Sequence, residues 1–302
     1  MFSLLSNILS QTMIGLDIRP HGLHLIQLRR TGKKTIAENA ACIPLPNTLF
    51  AEGQITQWDA LQDILHDVVN RLRLTGKSAA IHLPSNLVRI QQMELPLGMK
   101  EAAIQHEISM KLSRDFQGID DQLIMDFDVL VQSENKTLQV YYAITRKEYV
   151  SRYVDCVKLS GLKIKKVDVD LFALRRAFPF DVNGVVVEVN QVMTLLLFST
   201  HEILFHYEGR IGDDVEFRTE ISKQISIFMK SNPRVITKRL VVYSQYQDAF
   251  NEGSPDFEIQ MFNPFSIITF TPQFLAQIES KNLADFVWAL GLAHARKAND
   301  QY

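Results

Sequence analysis

The sequence predicts an α/β protein of two related units, in each of which helices cover a β-sheet. The order strand, strand, strand, helix runs from residue 13 to residue 72 and begins again at residue 184. Each copy places one carboxylate, Asp17 or Glu188, near the end of a buried strand and just before a hairpin turn. A chain of 302 residues that is 46% hydrophobic and 22% charged can also bury a substantial core.

The first unit begins with a hairpin. In its turn, Pro20 fixes one backbone angle and Gly22 permits an unusual one. Short apolar runs bounded by turn residues predict strands, and apolar residues at helical spacing predict helices. The expected strands are 13–18, 23–28, 35–43, 79–83 and 88–95, and the expected helix is 57–72.

The middle of the chain has the pattern of an insert on the first sheet. A helix at 100–115 precedes two alternating strands, 123–131 and 138–145, which the polar turn 133–136 joins. A helix at 147–159 then ends at Gly161, a natural C-terminal cap.

The second unit follows a strand at 163–169 and a short helix at 171–178. Its first hairpin turns at Asn190 and Gln191. Strands are expected at 184–189, 193–198, 202–207, 239–244 and 257–262, and helices at 215–230 and 283–296, the last of which completes this unit.

Composition excludes several classes of protein. Lys and Arg total 32 against 34 for Asp and Glu, so the chain has no basic surplus for nucleic acid. The only cysteines, Cys42 and Cys156, lack ligand spacing and predict neither a disulfide nor a metal site. No apolar run is long enough for a membrane span. The first nine residues predict a short helix that packs on the domain, with contact to a membrane as the alternative.

Several segments, in order and spacing, resemble the PilM family of actin-like cytoplasmic proteins of type IV pilus assembly, including its MshI-type relatives. The likeness covers nearly the whole chain. The segments that carry it are IGLDI at 14–18, EGQI at 52–55, MELP at 93–96, DFDVL at 126–130, AITRKE at 143–148, VDVDLFAL at 167–174, NPF at 263–265 and LGLA at 290–293.

The resemblance implies an α/β, actin-like ATPase fold with two RNase H-like halves and an α-β-β-α insert in the first. It implies a short helix at 1–12, a first half at 13–180 with the insert at about 97–160, and a second half at 181–302 with a reduced lid. It also implies a nucleotide cleft between the halves, and a groove near the insert that receives the cytoplasmic N-terminal peptide of a membrane-anchored PilN.

The cleft residues depart from the pattern of the family. In the family, the first turn has Gly, Ser-rich positions and Lys. In this chain, the same turn has Arg19 and Pro20 before Gly22. The family's second turn has Asp-Ile-Gly, where this chain has Glu188 and then Asn190. The sequence therefore predicts a degenerate site for ATP and Mg²⁺ and no catalytic residues. Asp17 and Glu188 are expected to hydrogen-bond their own hairpins.

A third difference lies at residues 243–246. Relatives have a Gly-rich turn there that packs against adenosine, whereas this chain has large side chains. The chain also runs from Gly212 almost directly into the helix at 215, which omits most of a lid. His21 and His24 are interpreted as turn or surface histidines, and Asp126 and Asp128 as a solvated strand face.

The predicted function is a non-catalytic cytoplasmic adaptor, peripheral at the inner membrane, in a pilus or related secretion platform. Its partner would be the tail of a PilN-like single-span protein. Candidate contacts in the groove are Met93, Leu95, Phe127 and Tyr141, although each also fits a core role. The alternative is an actin-like ATPase of the same machine that uses Arg19 and Glu188; a sugar-kinase relative is a weaker third hypothesis.

Overall fold

The computed structural model describes residues 11–20, 22–32, 34–132, 137–178, 182–198, 203–232, 239–246, 258–278 and 282–294. The predicted N-terminal helix and the turn at 133–136 lie outside these residues, whereas residues 11 and 12 already belong to the first strand. The strands in chain order are β1 (Gln11–Arg19), β2 (Gly22–Thr31), β3 (Lys34–Ile43), β4 (Phe50–Ala51), β5 (Gln54–Ile55), β6 (Ser78–Leu83), β7 (Arg89–Pro96), β8 (Leu123–Gln132), β9 (Thr137–Arg146), β10 (Lys163–Val169), β11 (Gly184–Val189), β12 (Val192–Phe198), β13 (Ile203–Arg210), β14 (Arg239–Tyr243), β15 (Glu258–Met261) and β16 (Ile268–Phe270). The helices are α1 (Trp58–Arg71), α2 (Glu101–Asp115), α3 (Lys147–Leu159), α4 (Asp170–Arg176), α5 (Asp214–Ser231), α6 (Pro272–Ile278) and α7 (Val287–Ala293).

Two sheets of matching topology form the frame of the molecule. The first sheet has the strand order β10-β6-β1-β2-β3-β16, and the second has β13-β12-β11-β14-β15. In both, a three-stranded antiparallel meander joins two further parallel strands at its first strand. The predicted repeat of strand, strand, strand, helix is therefore confirmed.

Helices cover these sheets because their apolar residues recur on one face. Helix α1 buries Leu61, Leu65 and Val68 against the first sheet, together with residues of α3. Helix α5 does the same for the second sheet, with Phe217 and Ile221. Between the sheets lies a further core, to which α4, α6 and α7 contribute.

A separate small sheet has the order β7-β9-β8, and α2 packs on one of its faces. The predicted order of helix, two strands and helix is present as α2, β8, β9 and α3. Two details differ from the sequence interpretation. Strand β7 joins the small sheet, and α3 packs into the core of the first sheet through Tyr153, Cys156 and Val157. The exact limits of the insert and of the two halves stay a prediction.

The chain returns to the first sheet after β15. Strand β16 pairs parallel to β3, and α7 packs against β1 and β2. The sequence placed the last helix in the second unit, and these contacts correct that assignment. Strand β16 and helix α6 were not predicted; β16 has only three residues, which are too few to show an alternation.

The backbone of helix α7 lies in close contact with the backbones of β1 and α4. A Cβ at Gly15 of β1 would lie 1.8 Å from the carbonyl oxygen of Ala289, and a Cβ at Gly291 would lie 1.8 Å from that of Ala173. Only glycine fits at these two positions. This contact fixes α7 at the junction of the two sheets, beside the end of the first hairpin.

Candidate functional site

The carboxylate of Asp17 is completely buried at the end of β1 and is surrounded by nitrogen donors. Arg19 donates from Nε and Nη2 to both carboxylate oxygens, at 2.9–3.1 Å. His82 Nε2 lies 2.7 Å from Oδ1, and His24 Nδ1 lies 3.4 Å from Oδ2. Both oxygens of Asp17 are therefore engaged inside the protein.

The charges of this cluster stabilise one another. Burial alone would raise the pKa of Asp17, but Arg19 and the two neighbouring histidines hold that pKa well below its usual value. Burial lowers the pKa of His24 and of His82, and the neighbouring Asp17 more than compensates. The pKa of His24 rises to about 9, and that of His82 also rises. The cluster thus balances an anion with internal cations.

The side chain of Arg19 is held from two directions. Its guanidinium carbon lies 3.7 Å from the ring centroid of Trp288 in α7, a cation–π contact. The other side of the group forms the fork with Asp17. The structure thus makes Arg19, which departs from the pattern of the family, the ion partner of Asp17.

Glu188 occupies the corresponding place at the end of β11 and is also buried. Its Oε1 accepts the backbone N–H of Gln191 at 2.9 Å. Its oxygens further accept from the Ser244 hydroxyl at 3.3 Å and from the side-chain amide of Gln245 at 3.3 Å. This carboxylate therefore joins its own hairpin to the loop after β14.

The turn of the second hairpin has the geometry that its sequence predicts. Asn190 and Gln191 have φ values of 53° and 63°, the left-handed region that Asn tolerates well. The Asn190 amide also donates to Asp285 at 2.9 Å. In the first hairpin, Gly22 has a φ of 155° and packs close to His24.

A cavity of about 350 Å³ lies beside this second turn. The described residues that line it are the neutral amides Asn190, Gln191, Gln245 and Asn282. The two tyrosines of the third turn pack inward. The ring of Tyr243 lies 6.3 Å from Phe265, and the ring of Tyr246 lies 5.5 Å from Phe217. Burial, aided by the charge of Asp285, raises the pKa of Tyr243 to about 12.

The described cleft residues do not fit a magnesium nucleotide. Mg²⁺ needs carboxylate or water oxygens in octahedral array, and phosphates need free N–H groups or cations. Asp17 and Glu188 already use their oxygens within the protein, and Arg19 already has a counterion. This geometry favours the prediction that the two carboxylates serve their own hairpins.

The four predicted partner contacts do not share one surface. Leu95 is buried under α2, and Met93 and Phe127 pack against the same core. Tyr141 lies on β9 between Val140 and Tyr142, which face that core, so its side chain projects to the opposite face. Met93, Leu95 and Phe127 therefore take the core role that the sequence also allowed, and Tyr141 stays a candidate contact with the partner.

That opposite face of the small sheet, here called the outer face, bears a mixed set of side chains. Ile90 and Ile124 are 38% and 43% exposed, and the register places Ala143 between Ile90 and Asp126. Its other members are Gln92, Glu94, Asp128, Gln139, Tyr141 and Thr145. Asp126 and Asp128 are exposed, as the sequence predicted.

Sequence reasoning missed three residues of the cleft. His82, Trp288 and Asp285 come from distant segments, and the fold brings them to Asp17, Arg19 and Asn190. His82 is the one with a detectable signal, because a histidine inside an apolar strand needs a polar partner. His21 lies outside the described residues.

None of the helices among the described residues combines the length and apolarity needed to cross a bilayer. Comparison with solved structures finds the PilM–PilN type IV pilus biogenesis complex, with a TM-score of 0.68 and 18% identity over 93% of this chain and 97% of the other. The cytoplasmic domain of EpsL, an inner membrane component of the Vibrio cholerae type II secretion system, matches with a TM-score of 0.52 and 10% identity over 95% and 97%.

These similarities, with the paired sheets, confirm the predicted actin-like fold. The family model described as type IV pilus assembly protein PilM matches residues 15–227. That match spans more than half of the chain and includes both hairpins and the small sheet. The protein therefore belongs to the PilM family of type IV pilus assembly proteins.

Proposed function

We propose that this protein is a non-catalytic adaptor on the cytoplasmic side of a type IV pilus, or related secretion, assembly platform in the inner membrane. It binds the N-terminal cytoplasmic tail of a PilN-like membrane protein. The observation that carries this proposal is the small sheet, which has one face covered by α2 and the other face open. The engaged state of Asp17 and Glu188 supports the non-catalytic part.

The two edges of the small sheet differ in their capacity to accept an added strand. On β8, Asp126 and Asp128 each accept the backbone N–H of the following residue, at 3.0 and 2.9 Å. Carboxylates in this position block an incoming strand. Among the described residues, β7 pairs only with β9 and has no such caps. An extended tail therefore adds beside β7.

The outer face offers both apolar contacts and negative charges to a bound peptide. A strand added to β7 would lay its apolar side chains beside Ile90, and Tyr141 would lie one strand further in, next to Gln92. Glu94, Asp126 and Asp128 make this face acidic. Cytoplasmic segments next to a membrane span carry an excess of Lys and Arg, so a tail of that kind has the complementary charge.

Fluorescence anisotropy with a labelled peptide of the partner's cytoplasmic N-terminus tests this proposal. We expect micromolar binding to the full chain, and at least about tenfold weaker binding to Ile90→Glu, which is about 1.4 kcal/mol. Ile227→Glu in α5 is the matched control, because that isoleucine is 47% exposed against 38% for Ile90. No binding at high micromolar protein, or equal loss in both variants, would contradict the proposal.

The alternative function, ATP hydrolysis within the same machine, is tested separately. Calorimetric titration of the protein with Mg-ATP is expected to give no binding heat, because Arg19 and the tyrosine turn occupy the cleft. Micromolar binding, together with phosphate release that Asp17→Ala abolishes, would replace the adaptor proposal with the ATPase.

A further inference from the structure

A row of polar side chains crosses four neighbouring strands of the first sheet. Asp17 of β1 pairs directly with His24 of β2, which pairs directly with Cys42 of β3. On the other side, His82 of β6 bonds to Asp17. Direct partners across antiparallel strands project to the same face. The row thus collects one carboxylate, two imidazoles and one thiol at the end of the sheet that faces the Asn190 turn.

Asp285 closes this row from outside the sheet. It lies in the 3₁₀ turn Leu283–Phe286, and its side chain is largely buried. Ligand atoms of His24, Cys42 and Asp285 all lie within 4.8 Å of one another. A thiol, an imidazole and a carboxylate are three ligand types that zinc accepts together.

In the part of the chain that the structure describes, Asp285 has no permanently charged partner. Its carboxylate accepts a hydrogen bond from the neutral amide of Asn190, and it faces the uncharged Tyr243. Among the described residues it forms no ion pair with Lys or Arg, and Arg19 is already paired with Asp17. The imidazole of His24, whose ligand atom lies within 4.8 Å, is positive only while it is protonated. A metal ion that replaces this proton would supply a permanent positive charge beside the buried carboxylate.

Asp17 orients the ring of His24, and a metal ion would replace the proton that this carboxylate otherwise favours on the imidazole. Its Nδ1 lies 3.4 Å from the Asp17 carboxylate and makes no well-formed hydrogen bond, and the ring is 5% exposed. A carboxylate beside one ring nitrogen fixes the ring and leaves the other nitrogen for a metal. In this arrangement Nε2 of His24 is the ligand atom.

We propose that His24, Cys42 and Asp285 bind a divalent transition metal ion of the zinc class. This site goes beyond the adaptor function and gives Cys42 a metal role that the sequence did not predict. Zinc bonds of about 2.0–2.3 Å in a tetrahedron need ligand atoms about 3.3–3.7 Å apart, so the three side chains close by about 1 Å on binding. Three protein ligands leave the fourth position to water.

The ion would join the two sheets. His24 and Cys42 belong to the first sheet, and Asp285 is hydrogen-bonded to the turn of the second hairpin. Metal binding therefore stabilises the relative position of the first sheet and the Asn190 turn.

Cobalt(II) titration of the full chain, purified without an affinity tag and treated with chelator, tests the site. We expect one equivalent of Co²⁺ to bind with a thiolate-to-cobalt absorption band, and Zn²⁺ to displace it. Cys42→Ser should abolish the band, and Asp285→Asn should weaken binding at least tenfold. Cys156→Ser is the matched control, because Cys156 is the other cysteine and is buried in a separate core.

A second measurement distinguishes a variant that has lost metal binding from a variant that has not folded. Zn²⁺ should raise the Tm of the wild type and of Cys156→Ser, and should leave the Tm of a folded Asp285→Asn variant unchanged. The proposal is overturned if the wild type binds no Co²⁺ at micromolar concentration. It is also overturned if Cys42→Ser keeps the absorption band or if Cys156→Ser loses it.

Discussion

The first and second hairpins place a buried carboxylate at equivalent positions and neutralise it in different ways. Asp17 is held by the guanidinium of Arg19 and by two histidines. Glu188 is held by the N–H of Gln191 and by the neutral side chains that follow β14. The same fold position thus carries an ion cluster in one sheet and a network of neutral donors in the other.

This difference shows two ways in which a protein neutralises a buried carboxylate. The anion can be balanced by an internal cation, as Arg19 does for Asp17. It can also be absorbed into turn hydrogen bonds, as for Glu188. In the first hairpin, Arg19 and the two histidines need the negative charge of Asp17. In the second hairpin, the donors to Glu188 are neutral and do not need its charge.

The largest expected effect comes from removing each carboxylate charge. Asp17→Asn leaves Arg19 and two histidines without their anion and should lower the free energy of unfolding by about 3–5 kcal/mol. Glu188→Gln keeps an acceptor for neutral donors and should cost about 1–2 kcal/mol. Chemical denaturation of both variants measures the difference. Equal losses would show that the two hairpins use the same kind of stabilisation.

A smaller effect is expected from the cation. Arg19→Met keeps an apolar side chain on Trp288 but removes the fork to Asp17, and should cost about 2 kcal/mol. Arg29→Met is the control, because Arg29 pairs with Glu38 at the surface and should cost less than about 1 kcal/mol. If both variants lose the same stability in denaturation, Arg19 is not an internal counterion.

The smallest effect is a pH dependence that belongs to the first hairpin. The pKa of His82 is raised in the folded protein above its ordinary value of about 6.5. The contribution of His82 to the free energy of unfolding is therefore complete below pH of about 6.5 and is lost as the pH rises through the pKa of the folded state. In chelator, the free energy of unfolding should fall above pH of about 6.5. His82→Asn should reduce this slope, because His24 with its raised pKa supplies the rest, and Glu188→Gln should keep it; the reverse pattern would contradict the cluster.

Most strands and the longer helices could be predicted from sequence, because their apolar patterns are local. Helix α3 and strand β11 begin and end at the predicted residues. The parity of β9 also contains the information that Tyr141 and Tyr142 face opposite ways. The pattern also indicates the covered face, because Leu138, Val140 and Ile144 lie on the side of Tyr142; what it lacks is which element covers that face.

The cluster around Asp17 could be predicted only in part. Asp17 and Arg19 are two residues apart, so their proximity is visible in the sequence. His82, Cys42 and Asp285 reach the site through strand pairing and through the return of the chain. Such long-range pairings depend on the whole fold and leave no local periodicity.

The pairing of β16 with β3 also governs how the protein is made. Residues 268–270 complete a sheet whose neighbouring strand lies at 34–43. The ribosome therefore releases the first hairpins long before the strand and helix that finish their sheet. Until β16 has been synthesised, the edge of β3 that it covers has no partner strand. Pairing between such distant segments slows folding, and an exposed strand edge favours aggregation. A chain that stops before residue 268 lacks both β16 and α7, so its first sheet has neither its last strand nor the helix that packs on β1 and β2.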